Sequence, residues 1–291
     1  MNTILTFATL AAALRLSIPV ALTALGGLVG ERSGVLNLGL EGMMISGAFA
    51  GYLATNETGQ PVVGLLAGIV VGGLVGAVLA LLVVYIQANQ MVAGLGLTLL
   101  CTAATTYLFR TIFGIGEIPP RIARIDLPAL VVVCVAVYAL VWFVLSRTNV
   151  GLSLAAAGDS PVAVDALGYK VDRIRTLAAI AGGMLAGLGG AVLVCGPLGL
   201  YIENVTAGRG WVALALVVFA RWRPMACAAG ALLFGLCDAV QLRLQGQATA
   251  VPYELFLALP YLITLLALVV RGRTSAAPLA LGEPFRRSTV T

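Results

Sequence analysis

The chain has 291 residues, 60% of them hydrophobic and 10% charged, with no histidine and a formal net charge of +5. Soluble domains carry about 25% charged residues, and a water-soluble globule of this length cannot hide so much apolar surface, whereas a bilayer accepts it. The composition also excludes a Ser-His-Asp triad, an HExxH metal site and an imidazole proton shuttle, and it leaves the five cysteines, Cys101, Cys134, Cys195, Cys227 and Cys237, as scattered small hydrophobes rather than a redox or metal motif.

Apolar segments fall at roughly 3–28, 40–55, 61–86, 91–113, 127–146, 174–199, 209–220, 224–242 and 253–270. Their runs are continuous, as in Val62–Ile86 and Leu127–Leu145, so they read as helices and not as the alternating strands of a barrel. The expected fold is all-α: a polytopic transmembrane bundle of about 8–10 helices over residues 1–271. Segments 40–55 and 209–220 are too short to cross ~30 Å of hydrocarbon, which points to broken or half-length helices at matching places in two halves.

The first break is GGLVGERSGVLNLGLEG (26–42), with six glycines, Glu31, Arg32, Asn37 and Glu41. A charge at the bilayer centre costs ~2.5–3.5 kcal/mol, so these residues face a cavity, a partner or the interface. A pathway-lining broken helix and a plain interfacial loop both fit. Asn37, neutral and able to donate and accept, is the better ligand of the set. Glu31 and Arg32 suit a membrane surface. Next, Gly64, Gly68, Gly72 and Gly76 share one helix face, and Gly183, Gly187, Ala186 and Gly190 do the same later. Small residues at this spacing let backbones approach closely. Gln87, Asn89 and Gln90 open the 91–113 segment, and Thr98, Thr102, Thr105 and Thr106 follow as ligands or back-bonded hydroxyls.

The polar loop 147–175 contains a short helix, about 161–167. Ser160 is placed to cap it, Pro161 suits its first position, and Gly168 supplies a left-handed stop. Two turns are unstable alone, and Val162, Val164 and Leu167 offer apolar groups to a partner's groove. Farther on, ENVTAGRG (203–210) repeats the theme of acid, amide, glycines and arginine before a short apolar run, about 168 residues after the first break. Asp238 lies within 224–242, where an acid pairs or faces water. The tail 272–291 has the composition of a disordered segment.

Basic residues sit in loops, which assigns the positive charge to membrane orientation and anionic lipid rather than to nucleic acid. Arg147–Arg175, the turn Ala220–Pro224 and the tail with Arg271, Arg273, Arg286 and Arg287 are each separated by two apolar segments, so all three fall on one side, read as cytoplasmic. There is no GxxxxGK[ST], so the chain has no P-loop ATPase site of its own. No carboxylate pair is set up as acid and base, and an enzyme reading has no support.

Taken together, GERSGVLNLGLEGMMISGAFAGY (30–52), AGDSPVAVDALGYKVDRIR (157–175) and ENVTAGRGWVALALVVFARWRP (203–224) resemble the permeases of bacterial nucleoside and simple-sugar ABC importers, with branched-chain amino-acid permeases as more distant relatives. NQMVAGLGLTLL (89–100) and FGLCDAVQLRLQ (234–245) fit the same pattern. The resemblance implies a bacterial inner-membrane, multi-pass permease working with a second permease subunit, often a related but different chain. It further implies cytoplasmic ATPase subunits that hold the ATP and magnesium, and an extracytoplasmic solute-binding protein. Carried over, Gly158, Asp159, Ser160, Pro161, Asp165 and Gly168 form the element that couples to the ATPase. Asn37, Glu41, Gln90, Thr98 and Asn204 fall in segments that line the solute pathway. Relatives often carry Asn where this chain has Thr98, which bears on the solute's identity. The competing reading is an ion-gradient-driven secondary transporter or channel, with Asp238 as its main proton-carrying candidate.

Overall fold

The computed structural model describes residues 7–114, 116, 119–245 and 277–285; the expected segment 253–270 lies outside them. Among the described residues there are ten α-helices and no strands. They are α1 (Phe7–Arg32), α2 (Leu40–Thr58), α3 (Pro61–Ala80), α4 (Gln90–Phe113), α5 (Leu127–Arg147), α6 (Asn149–Asp159), α7 (Pro161–Ala166), α8 (Val171–Leu193), α9 (Arg209–Phe219) and α10 (Pro224–Gln245). Each of the two helices that meet at the glycine face described below, α3 and α8, runs on into a five-residue π-turn, 81–85 and 194–198. Six helices are long and apolar enough to cross a membrane, and α9, at 11 residues, is not; it reaches about 16 Å along its axis.

Local chemistry explains the boundaries. The Asn89 side-chain oxygen accepts from the backbone N–H of Met91 and Val92 at 3.0 and 3.2 Å, capping α4. Pro61, Pro128 and Pro161 stand in the first turns of α3, α5 and α7, where a missing N–H costs nothing. Gly59 closes α2 in the left-handed conformation.

The centre of the bundle is α1, α2, α3 and α8, and its closest contacts are made without side chains. Gly47 of α2 and Gly68 and Gly72 of α3 all rest on Gly187 of α8, and Gly72 also meets Gly183. A Cβ at any of these positions would run into the neighbouring backbone. The two glycine faces legible in the sequence therefore pack against each other, with α2 as a third member. Outside this core, Val62, Leu66, Val70 and Leu74 of α3 and Val132, Val135, Leu140 and Phe143 of α5 are exposed, as lipid-facing residues are.

The loop after α5, the turn before α10 and residues 277–285 share one end of the bundle. Arg32 Nε, at the end of α1, donates to the Trp222 carbonyl at 3.0 Å. Gly158 is packed against the Arg32 carbonyl. The Ala280 N–H donates to the Gly158 carbonyl at 2.8 Å. Counting crossings from the basic loops required this shared end. The expectation of a disordered tail is not met over 277–285, which lie against the bundle with Ala280 buried.

Candidate functional site

The break between α1 and α2, residues 33–39, is held by polar groups that the sequence brings from far along the chain. Ser33 N–H, Ser33 Oγ and Val35 N–H all bond the Gly30 carbonyl, so the end of α1 folds back on itself. The Asn37 side-chain oxygen accepts from the Gly39 N–H at 3.0 Å, and its amide nitrogen points to Met43 Sδ at 3.4 Å. Gln90 Oε1 accepts from the Leu36 N–H at 2.7 Å. Thr98 Oγ1 donates to the Leu38 carbonyl at 3.1 Å. Asn37, Gln90 and Thr98 are all buried. Buried backbone groups need partners, and a seven-residue break within helices leaves several orphaned. These three side chains supply those partners.

Glu41 joins the two breaks. Its carboxylate accepts from Thr206 Oγ1 at 2.5 Å, from the Gly208 N–H at 3.0 Å and from the Gly210 N–H at 2.6 Å. It therefore caps the N-terminus of α9, where free N–H groups and the helix dipole favour a negative charge. Gly210 sits against the Glu41 backbone where a Cβ would not fit. Next to this cap, Arg209 pairs with Asp238 of α10 at 3.4 Å. Asp238 thus has the partner that an acid within a span needs. The similarity between the two glycine-rich motifs turns out to be a contact: the first supplies the acid and the second the backbone donors.

Asn204 is elsewhere. It is exposed, in a turn with φ +55°, and its carbonyl accepts from the Ala207 N–H. Beside it in the chain, Glu203 forms a two-bond ion pair with Arg110 of α4, both contacts 2.8 Å. The Arg110 guanidinium holds the Glu203 carboxyl below its ordinary range. This pair closes one end of a hollow of about 530 Å³ on the outer face of α4, lined by Leu99, Thr102, Ala103, Thr106, Tyr107 and Arg110. That face carries hydroxyls and a cation along its length, where the exposed residues of α3 are aliphatic. A second cleft, of about 640 Å³ between α5, α6 and α8, is lined almost wholly by apolar side chains and offers a polar solute few partners.

The predicted short helix is present as Pro161–Ala166, with Gly168 at φ +86° as its stop. Ser160 makes no side-chain capping bond. The reason is that α6 runs up to Asp159, leaving Ser160 as the junction of two helices; Asp159 Oδ1 instead accepts from the Leu279 N–H at 3.4 Å. Val164 is buried against Ala157 and Val171, while Val162 and Leu167 are exposed. Gly158 is buried and Asp165 half-buried.

Sequence reasoning missed several members of this end. Trp222 Nε1 donates to Glu31 Oε2 at 2.7 Å, so Glu31 is buried inside the molecule rather than at a membrane surface. Arg175 is buried and donates to the Glu283 carbonyl at 2.7 Å. Arg221 and Trp222 both take positive φ, +53° and +55°, in the turn that presents Trp222. Only the unusual density of arginine and tryptophan in FARWRP hinted at them.

Residues 9–268 match the model of a family described as the branched-chain amino acid transport system / permease component. A glucose ABC transporter permease protein of Haloferax volcanii, TsgC13, whose assignment there is provisional, is 41% identical over 79% of this chain and 75% of its own. The guanosine ABC transporter permease protein NupQ of Bacillus subtilis is 32% identical over 92% of both chains. The nucleoside ABC transporter permease protein NupC of Lactococcus lactis is 30% identical over 94% of both. An ABC transporter described as of metal-chelate type, solved in an inward-facing conformation, shares the fold with a TM-score of 0.53 at 19% identity, over 90% of this chain and 85% of that one. The chain therefore belongs to the branched-chain amino-acid transport system permease family, and within it is similar to the permeases of nucleoside and sugar ABC transporters.

Proposed function

We propose that this chain is half of the membrane channel of an ATP-driven importer for a small uncharged polar solute, a nucleoside first and a simple sugar second. ATP is bound with magnesium and hydrolysed by separate cytoplasmic subunits. A second permease, related but different, completes the pathway, and an extracytoplasmic solute-binding protein delivers the solute. The membrane is the bacterial inner membrane, with the C-terminus in the cytoplasm.

The observation that carries this reading is α7. A two-turn helix has no stability of its own, yet it stands at the end of the bundle marked by the basic turns, with Val162 and Leu167 turned outward. Lipid does not reach a loop outside the spans, so exposed valine and leucine there suit a protein partner. Closure of the ATPase moves that knob, and the two permeases exchange inward and outward access, each state favoured by its own contacts.

The solute wall is the exposed face of α4 with Thr102, Thr106, Tyr107 and Arg110, together with Asn204. Asn37, Glu41, Gln90 and Thr98 shape that wall from behind: they are occupied with the chain's own breaks, and direct solute contact would cost those bonds. The ion-gradient alternative has Asp238 as its proton carrier, and that side chain is engaged with Arg209 at 3.4 Å rather than left facing a pathway. The test is uptake of labelled nucleosides and sugars by vesicles holding the complete complex. Asp159→Ala and Gly168→Val lower uptake per ATP hydrolysed while leaving assembly intact. Transport by the purified chain alone, without ATP, would overturn the reading.

A further inference from the structure

We propose that residues 277–285 form part of the surface on which the ATPase docks, so that the site is built from two segments rather than from α7 alone. This rests on the reading of α7 given above.

The segment is tied down by its backbone at every few residues. Its Leu279 N–H reaches Asp159 Oδ1 at 3.4 Å, and its Ala280 N–H reaches the Gly158 carbonyl at 2.8 Å. The Gly282 N–H donates to the Gly34 carbonyl at 3.0 Å. The Glu283 carbonyl accepts from Arg175 NH1 at 2.7 Å, and the Phe285 carbonyl from Gln87 Nε2 at 3.1 Å. Phe285 packs on the small cluster of Ala157, Val164 and Val171 that also seats α7. Five partners spread over the first break, the α3–α4 connection, the coupling loop and the start of α8 hold nine residues in one place.

Held this way, the segment turns an apolar side chain outward. Leu279 is 83% exposed, next to Asp159, and three residues beyond Asp159 is Val162 at 67%; Leu167 and Tyr169, at the far end of α7, are 77% and 57% exposed. These residues lie at the end of the bundle away from the Arg110–Glu203 pair, in loops rather than in spans, so hydrocarbon does not account for them. Asp159 and Asp165 stand among them. With Lys170 and Arg173 also exposed just after Tyr169, the surface suits a groove that is apolar at its base and carries charges of both signs at its rim, and a cytoplasmic ATPase is the partner that an ABC permease of this family associates with.

Leu279 tests this cleanly, because its side chain is mostly in solvent and its change leaves the tail's backbone bonds in place. The permease is co-expressed with its partner subunits, purified through a tag on the permease, and the retained ATPase is quantified. Leu279→Glu and Val162→Glu are each expected to lower retention about tenfold, the scale of one lost interface anchor, with Leu279→Ser giving a smaller loss and unchanged melting. If Val162→Glu weakens retention and both Leu279 variants leave it at the wild-type level, the tail is no part of the site and this proposal fails while the reading of α7 stands. If neither position matters, both fail.

Discussion

Glu41 shows what a single buried carboxylate does in this molecule. It receives three donors from a segment 165 to 169 residues away in sequence, and it is the point at which the two glycine-rich motifs meet. Replacing it by glutamine keeps the shape, but in either orientation the amide N–H₂ faces a backbone N–H, of Gly208 or of Gly210, that only donates, and one lost or reversed buried bond costs about 1–3 kcal/mol. Glu41→Gln is expected to lower the melting temperature of the detergent-solubilised chain and to reduce uptake together; melting unchanged within error would contradict the capping role. Glu203 behaves differently because it is exposed. Its folded-state titration is shifted down by Arg110, so the stabilisation it gives is present above the ordinary carboxylate range and is lost as pH falls through the lowered value. Between neutrality and mildly acid pH the pair therefore stays formed. The expected outcome is pH-independent uptake across that window, with a decline in stronger acid that Glu203→Gln abolishes and added salt weakens.

At the level of helices, the sequence was legible where a signal repeats. Apolar runs gave α1 to α5 and α8 to α10 within a few residues, and the four-residue spacing of glycines gave the faces of α3 and α8 that meet. Pro161 and Gly168 marked α7 because proline and positive φ are restrictive enough to be read singly. What escaped was non-periodic or long-range. Helix α6 is short and mixed in polarity, and it merged into its loop. Gly47 belonged to no repeat, so the part of α2 in the glycine junction was invisible. Asn37, Gln90 and Thr98 stood out as polar residues in apolar surroundings, but that pattern is the same for a ligand as for a group mending a helix break. The partners across the fold decide between them, and partners are not local. Two outcomes follow for the elements. Gly187→Leu forces α2 and α3 off α8, with overpacking of at least 1–3 kcal/mol, and is expected to abolish stable insertion as judged by protease protection. Gly168→Val places a branched side chain at φ +86°, a left-handed position that costs a non-glycine residue about 1–2 kcal/mol; it is expected to lower ATP-coupled uptake more than it lowers melting temperature.

For the molecule as a whole, the basic loops predicted which segments share an end, and the contacts among Arg32, Trp222, Gly158 and Ala280 bring those segments together. Orientation in the cell is then a single binary choice. Cysteine introduced at Val162 or Leu279, in a permease lacking the native thiols and expressed without its ATPase subunits, is expected to react with a membrane-impermeant maleimide in inside-out vesicles and to be protected in intact cells. Labelling from outside would reverse the assignment of every loop at once.

The segment that closes this end of the bundle also has an order in time. Residues 277–285 are translated after every other described element, yet they fill the space between Gly34, Gly158 and Arg175. Until they leave the ribosome, Asp159 lacks its backbone donor and the Arg175 guanidinium lacks the Glu283 carbonyl. The end of the bundle that meets the cytoplasm in this reading is thus finished last, after the described spans have been made, and a half-synthesised chain does not present the surface that the complete one does.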